Sequence, residues 1–359
     1  MKRYLALAMV TIMLLGALAG CAANAPAPEA TPAAEPAATE APAATEAPAA
    51  TEAPAKVWKL GMLIPGSATD GGFCQLGAEA ARAIQEKLGI EITIVEASTA
   101  DKMVSEAEAL IEDGYNIIFG HGAQYATPFS EISPDYPDVL FITAGGDVMT
   151  ANQIPTFMAF EETCYLMGIV SANMSKTGNL GFVLGGSYPS YVKSANAILI
   201  GAQTVKPDIK YQYAILSNID MNEAYETTMN QIKNGADIVF GNANAGTLGV
   251  LKAAIDSPGV YALGALADYN ADGPDTVLCS GVFDYSAGYV ATVQKAIKGF
   301  KAGDYIKAGL ADGCTGLVWN ENLKSKVPAE VLAAVEDAQA KIISGEIKVP
   351  GDLDPMTIK

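Results

Sequence analysis

Val57-Trp58-Lys59-Leu60-Gly61-Met62-Leu63-Ile64 is an apolar run of strand length, and the pattern downstream of it sets the fold. Beyond the loop 65–75, Leu76, Ala80, Ala83, Ile84 and Leu88 recur at helical spacing and predict one buried helix face. Ile90, Ile92 and Ile94 then alternate as a second strand. Met103, Ala107, Leu110 and Ile111 give another helix face, and the segments 116–119 and 139–143 are short buried strands. Strands that alternate with helices in this way predict parallel sheets covered by helices, an α/β fold.

The rhythm restarts further on. Helices are expected at 166–174, 191–204, 221–233 and 246–255, and strands at 179–184, 211–216, 237–240 and 260–263. Two successive sets predict two similar lobes. The tail adds a strand at 276–282, a helix at 287–301, a strand at 316–319 and a helix at 329–344, so the chain crosses between lobes more than once.

Upstream the composition changes abruptly. Lys2 and Arg3 precede the apolar run 5–18, and Leu18-Ala19-Gly20-Cys21 ends it with small residues and a cysteine. Charge, apolar core, small residues and cysteine in that order form a bacterial lipoprotein signal, with Cys21 the lipidated residue. The run is shorter than the ~18 residues that a membrane span needs. Residues 22–56 are almost wholly Ala, Pro, Thr and Glu, with a six-residue Thr-Glu-Ala-Pro-Ala-Ala unit starting at Thr39 and Thr45 and a looser copy at Thr51. Nothing there can build a core. Prolines and mutually repelling glutamates predict a semi-extended spacer between a membrane anchor and the body.

The net charge of −18 argues against a nucleic-acid groove. Four cysteines lie beyond Cys21, namely Cys74, Cys164, Cys279 and Cys314, and none is paired in a CxxC. One or two bridges, or four buried thiols, are both compatible with an exported protein. With a single histidine, a zinc site is not expected.

Ligands of open parallel sheets bind beyond the carboxyl ends of the strands. The loops to inspect are therefore 65–75, 120–129, 144–149, 185–191, 241–246 and 264–270. In the first, glycines allow close approach, Asp70 offers acceptors, Phe73 a flat apolar face and Gln75 both donor and acceptor. It is no phosphate loop, because neither GxxxxGK[ST] nor GxGxxG occurs. His121 stands between glycines after a strand, with Gln124 and Tyr125 close behind; it serves either the core or a ligand. No GxSxG accompanies it. Asn242 and Asn244 either cap the next helix or face the ligand. Asp268-Tyr269-Asn270 and Phe283-Asp284-Tyr285 set carboxylates beside aromatics, the combination that a flat heterocycle needs: a stacking surface and a few oriented polar groups.

Several of these segments resemble the basic membrane protein family of lipoproteins. Asp70-Gly71-Gly72-Phe73-Cys74-Gln75 is similar to the family's first-loop signature. The stretch 161–186, with Tyr165-Leu166-x-Gly168 and Ser175-Lys176-Thr177-Gly178-x-x-Gly181-Phe182-Val183, resembles its most recognisable block; 196–202 and 264–280 extend the likeness, which spans essentially all of 57–350. The resemblance implies a type I periplasmic-binding fold: two Rossmann-like lobes joined by three crossover strands. On that frame residues 57–160 with 285–318 form the N-terminal lobe, and 161–284 with 319–350 the C-terminal lobe.

The resemblance also implies a non-enzymatic solute-binding protein without a cofactor, which hands a purine base or nucleoside to the permease and ATPase of an ABC importer at the extracytoplasmic face of the membrane. Phe73 matches the base-stacking position. Leu266 stands where nucleoside-binding members carry an aspartate, and Phe283 where a lysine is expected. Phe283-Asp284-Tyr285 and Tyr188-Pro189-Ser190-Tyr191 look instead like a branch that binds free bases. The expected ligand contacts are thus Asp70, Phe73, Gln75, His121, Gln124, Tyr188, Asn242, Asp268, Phe283, Asp284 and Tyr285. The rival readings are a sugar or signalling ligand on the same scaffold, a secreted enzyme, and a surface adhesin or sensor.

Overall fold

A computed structural model describes residues 56–70 and 72–350. The signal peptide, Cys21 and all of the spacer except Lys56 lie outside the described residues.

The first sheet contains β1 (Lys59–Ile64), β2 (Glu91–Glu96), β3 (Ile117–Gly120), β4 (Leu140–Ala144), β5 (Gln153–Met158) and β11 (Ile306–Ala308), in the order β11-β5-β4-β3-β1-β2. The second contains β6 (Asn179–Leu184), β7 (Lys210–Ile215), β8 (Ile238–Asn242), β9 (Tyr261–Leu266), β10 (Val277–Phe283) and β12 (Thr315–Trp319), in the order β12-β10-β9-β8-β6-β7. All neighbouring strands run parallel except β12, which is antiparallel to β10. The helices are α1 (Phe73–Leu88), α2 (Ala100–Glu112), α3 (Ala126–Ile132), α4 (Phe160–Met174), α5 (Pro189–Val205), α6 (Met221–Lys233), α7 (Gly246–Ile255), α8 (Tyr285–Ile297), α9 (Glu321–Lys324) and α10 (Ala329–Ser344).

Successive side chains of a strand point to opposite faces. Met62 and Ile64 accordingly enter a core shared with α1 and α8, while Leu63 between them enters one built with α2 and α3. In the second sheet Phe182 and Leu184 face α4 and α5, and Val183 faces α6 and α7. Each sheet is thus covered on both sides, which explains strands that read as unbroken apolar runs.

On α1 the buried stripe is Cys74, Gly77, Ala78, Ala80, Ala81 and Ile84, whereas Leu76, expected inside, is 39% exposed. The face is turned because His121 lies against Gly77: a Cβ there would come within 2.6 Å of the imidazole carbons. Strand β5 carries no expectation from the sequence. It contains Pro155, which cannot donate to a ladder; β11 pairs with β5 only from Thr156 onward, so on that side Pro155 is still at an edge.

The chain passes between the sheets three times: from β5 into α4, from β10 into α8, and from β11 to β12. The expected lobe boundary at 318 moves accordingly. Residues 306–308 join the first sheet, but Thr315–Trp319 pair with β10 in the second. The crossings are tied together. The Ala159 N–H donates to the Ala308 carbonyl (2.7 Å) and that of Asp284 to the Cys314 carbonyl (2.8 Å). Glu162 accepts from Lys307 Nζ at 2.7 Å and from the Leu310 N–H at 2.8 Å. The four cysteines of the body are free and buried, and burial raises all four thiol pKa values.

Candidate functional site

A cavity of ≈ 370 Å³ lies where the carboxyl ends of β5, β8, β9 and β10 meet the first turns of α4, α5 and α8. That volume is in the range of small-molecule sites. Its apolar side comprises Phe157, Met158, Phe160, Leu266, Phe283 and Tyr285. Its polar side comprises Glu161, Tyr191, Lys193, Ser194, Asn242 and Asn244. A second cavity of ≈ 490 Å³, running toward Tyr305 and Lys307, shares Phe157, Glu161 and Lys193 with the first.

Aromatic rings form a continuous wall. Phe283 packs on Phe160 (centroids 5.1 Å apart, 34° between planes) and meets Tyr285 at 6.0 Å. Tyr285 meets Phe73 edge-on at 6.2 Å. One face of Phe73 stacks on His121 at 3.8 Å, and the side chain remains 43% exposed. The structure therefore brings Phe73, Phe283 and Tyr285 together.

His121 holds this wall from behind. Its Nε2 lies 2.6 Å from the Phe73 carbonyl, which can only accept, so Nε2 carries the proton. Nδ1, 2.5 Å from the Tyr289 hydroxyl, then accepts from it. Burial lowers the imidazole pKa, which favours this neutral tautomer. With both nitrogens engaged and the ring fully buried, His121 orients Phe73 and has no hydrogen bond left for a ligand.

The expected carboxylates are similarly occupied. Asp70 accepts from the backbone N–H groups of Gly72 (2.8 Å), Gln75 (3.0 Å) and Cys74 (3.2 Å), closing the amino end of α1. These bonds, that to Gln75 foremost, hold its pKa at about 2. Asp284 caps α8 through the Ala287 N–H at 2.9 Å and faces a separate outer cavity with Lys87 and Ser286. Asp268 accepts from the Asn270 N–H at 2.9 Å in an exposed turn and does not line the cleft. Gln124 lies on the outer α2–α3 surface beside Asp101 and Glu131. Tyr188 is 67% exposed, with Tyr191 rather than Tyr188 lining the cavity. Gln75 donates to Glu79 at 2.8 Å on α1. Asn242 does line the cavity, buried to 3%.

Glu161, Lys193, Ser194 and Leu266 also line the cleft, and the strand-end loops did not point to the first three. Their signal was the opening two turns of helices that follow a crossing or a strand end: Glu161 is second in α4, and Lys193 and Ser194 are fifth and sixth in α5. Leu266 (φ 70°) and Asn244 (φ 47°) are the non-glycine residues in the left-handed region among those described, and both line this cavity. Such strain costs roughly 1–3 kcal/mol and gathers at ligand clamps.

A family model described as ABC transporter substrate-binding protein PnrA-like (Bmp) matches residues 57–352. The chain belongs to this family. Bmp proteins are solute-binding proteins rather than enzymes, which bind a small molecule outside the cytoplasm for an ABC transporter. Among the described residues no helix is long and apolar enough to cross a membrane. The chain is 28% identical to basic membrane protein D of Borreliella burgdorferi over 301 residues, covering 81% of this chain and 87% of that one. It is 27% identical to a purine-binding protein of Brucella abortus over 295 residues, 80% and 82% of the two chains. It shares its fold with a solved transcriptional activator of the comK gene from Bacillus halodurans (TM-score 0.67, 24% identity, 80% of this chain and 99% of that one). An ABC transporter solute-binding protein from Conexibacter woesei has the same architecture (TM-score 0.60, 20% identity, 83% and 100%).

Proposed function

We propose that this Bmp protein is lipid-anchored through Cys21 and carries a purine base, in preference to a nucleoside, to its ABC importer. The observation that carries the reading is the ring wall of Phe160, Phe283 and Tyr285 along one cavity, with Phe73 in edge contact with Tyr285 beside it. A planar heterocycle gains from stacking on such a wall, about 1–3 kcal/mol per ring by analogy with base-stacking proteins. The purine-binding relative supports the same class of ligand. Leu266 on the cavity lining supports a base over a nucleoside: an isobutyl group offers nothing to sugar hydroxyls, whose desolvation would go uncompensated.

Asp70, Asp284 and His121 support binding indirectly. They fix the two helix starts and the Phe73 backbone between which the rings stand. Closure of the lobes then excludes water and strengthens the remaining polar contacts.

The test is the identity of the molecule that co-purifies with the protein. Mass spectrometry of the supernatant after denaturation is expected to detect a free purine base; a pentose, hexose or intact nucleoside in its place contradicts the proposal.

A further inference from the structure

Glu161 and Lys193 are the charged residues lining the cleft cavity. Both are half-buried. Glu162, the next residue, spends both oxygens on Lys307 and the Leu310 N–H and belongs to the hinge. Glu161 is left over: beyond its own backbone amide it has no hydrogen-bond or ion-pair partner among the described residues, only longer-range attraction to Lys307 and Lys193. A glutamate in the first turn of a helix is normally stabilised as the anion. Here burial dominates and raises its pKa, so the carboxylate is short of donors.

Asn242 supplies a second, independent sign. Its Nδ2 donates to Ser194 Oγ at 3.1 Å, and the Ser194 hydroxyl is itself committed to the Tyr191 carbonyl at 2.6 Å. Ser194 can therefore only accept from Asn242, which fixes the amide orientation. The Asn242 carbonyl oxygen is left buried with no partner among the described residues. A buried acceptor in that state costs about 1–3 kcal/mol until a donor arrives.

The cleft is thus rich in unsatisfied acceptors, with the Lys193 ammonium beside them. We propose that Glu161 and Lys193 read the edge of the stacked ring and select a 2-amino-6-oxopurine, a base of the guanine type. The inference rests on the purine reading above. The carboxylate accepts two parallel N–H bonds, from ring N1 and the exocyclic 2-amino group, and the ammonium donates to the 6-oxo oxygen. Charge-assisted bidentate contacts of this kind are roughly twice as strong as neutral ones. Hypoxanthine lacks the 2-amino donor. Adenine turns a bare ring nitrogen toward the carboxylate, so a lone pair meets an anion.

The experiment is equilibrium binding of guanine, hypoxanthine and adenine to the detergent-solubilised full-length protein, its Glu161→Gln variant and its Lys193→Gln variant. A site that hydrogen-bonds a ligand N–H rejects analogues lacking it, and for this half-open site the wild type is expected to prefer guanine over hypoxanthine by about tenfold or more. Glu161→Gln brings the two within about threefold of each other. Lys193→Gln reduces the preference for hypoxanthine over adenine. A merely structural glutamate would weaken all three ligands together and leave their ratio unchanged. A guanine preference that survives Glu161→Gln overturns the assignment, as does a wild type that prefers adenine. If Glu161→Gln does not fold, the Lys193→Gln ratio decides in its place. A wild type that binds none of the three refutes the purine reading itself, an outcome distinct from purine binding without this selectivity.

Discussion

At Asp70 one carboxylate takes three backbone N–H groups, and that local closure sets where the Phe73 ring begins. The bonds favour the anion, with a pKa of about 2 against ~3.9 for an unfolded aspartate. The folded value is the lower one, so the stabilisation is complete above pH ~4 and is lost as pH falls toward 2. Asp70→Ala should therefore melt below wild type at neutral pH, with the gap closing between pH ~4 and ~2 in thermal unfolding monitored by circular dichroism. A gap that stays constant over that range would place the effect elsewhere. Asp268 and Asp284 also accept from neighbouring backbone amides, since a short carboxylate in a turn finds its own backbone before any ligand. For that reason Phe283, Tyr285 and Asn242 were legible in the sequence as residues of the cavity, and its charged pair was not. Phe283 and Tyr285 reach the cleft because rings stand off the backbone, and Phe73 meets Tyr285 edge-on without lining the cavity. Glu161 and Lys193 escaped because they sit on helices, outside the loops that a rule about strand ends selects.

Helices α4 and α5 show what close approach demands of sequence. A Cβ on Gly168 would collide with the Ile198 carbonyl, and one on Gly201 with the Tyr165 carbonyl. Backbone atoms cannot step aside as a side-chain tip can. Gly168→Ala is expected to cost about 1–3 kcal/mol or more of stability in urea unfolding monitored by tryptophan fluorescence; an unchanged midpoint would mean that the helices do not pack this tightly. Most elements were readable from apolar period alone, and Met221–Lys233, Gly246–Ile255 and Ala329–Ser344 begin and end where the spacing predicts. Strands β5 and β11 were not. The first holds Pro155 and the second is three residues long, too short for alternation to register. Both belong to the hinge edge, where pairing is set by the crossings rather than by local pattern.

Across the whole molecule, three crossings, two of them tied together by Glu162, join two sheets so that aromatic groups from both lobes line one cavity. Closing such lobes on a ligand produces a shape that a transporter can tell from the empty one. On the proposed reading, the lipoprotein pattern at Cys21 supplies a membrane anchor. Replacing Cys21 by Ala should move the protein from the membrane to the soluble fraction on cell fractionation and abolish incorporation of labelled palmitate; an unaltered membrane fraction would refute the anchor. The central claim is that the cleft grips a planar nitrogen heterocycle by stacking. Calorimetric titration with guanine and with ribose, on wild type and Phe283→Ala, tests it most directly. Guanine should bind wild type with a Kd of about 1 μM or tighter, and the loss of one stacking ring, worth ~1–3 kcal/mol, should weaken it about 5- to 150-fold, with no heat from ribose. Ribose binding without guanine binding, or a guanine affinity indifferent to Phe283, would contradict the account.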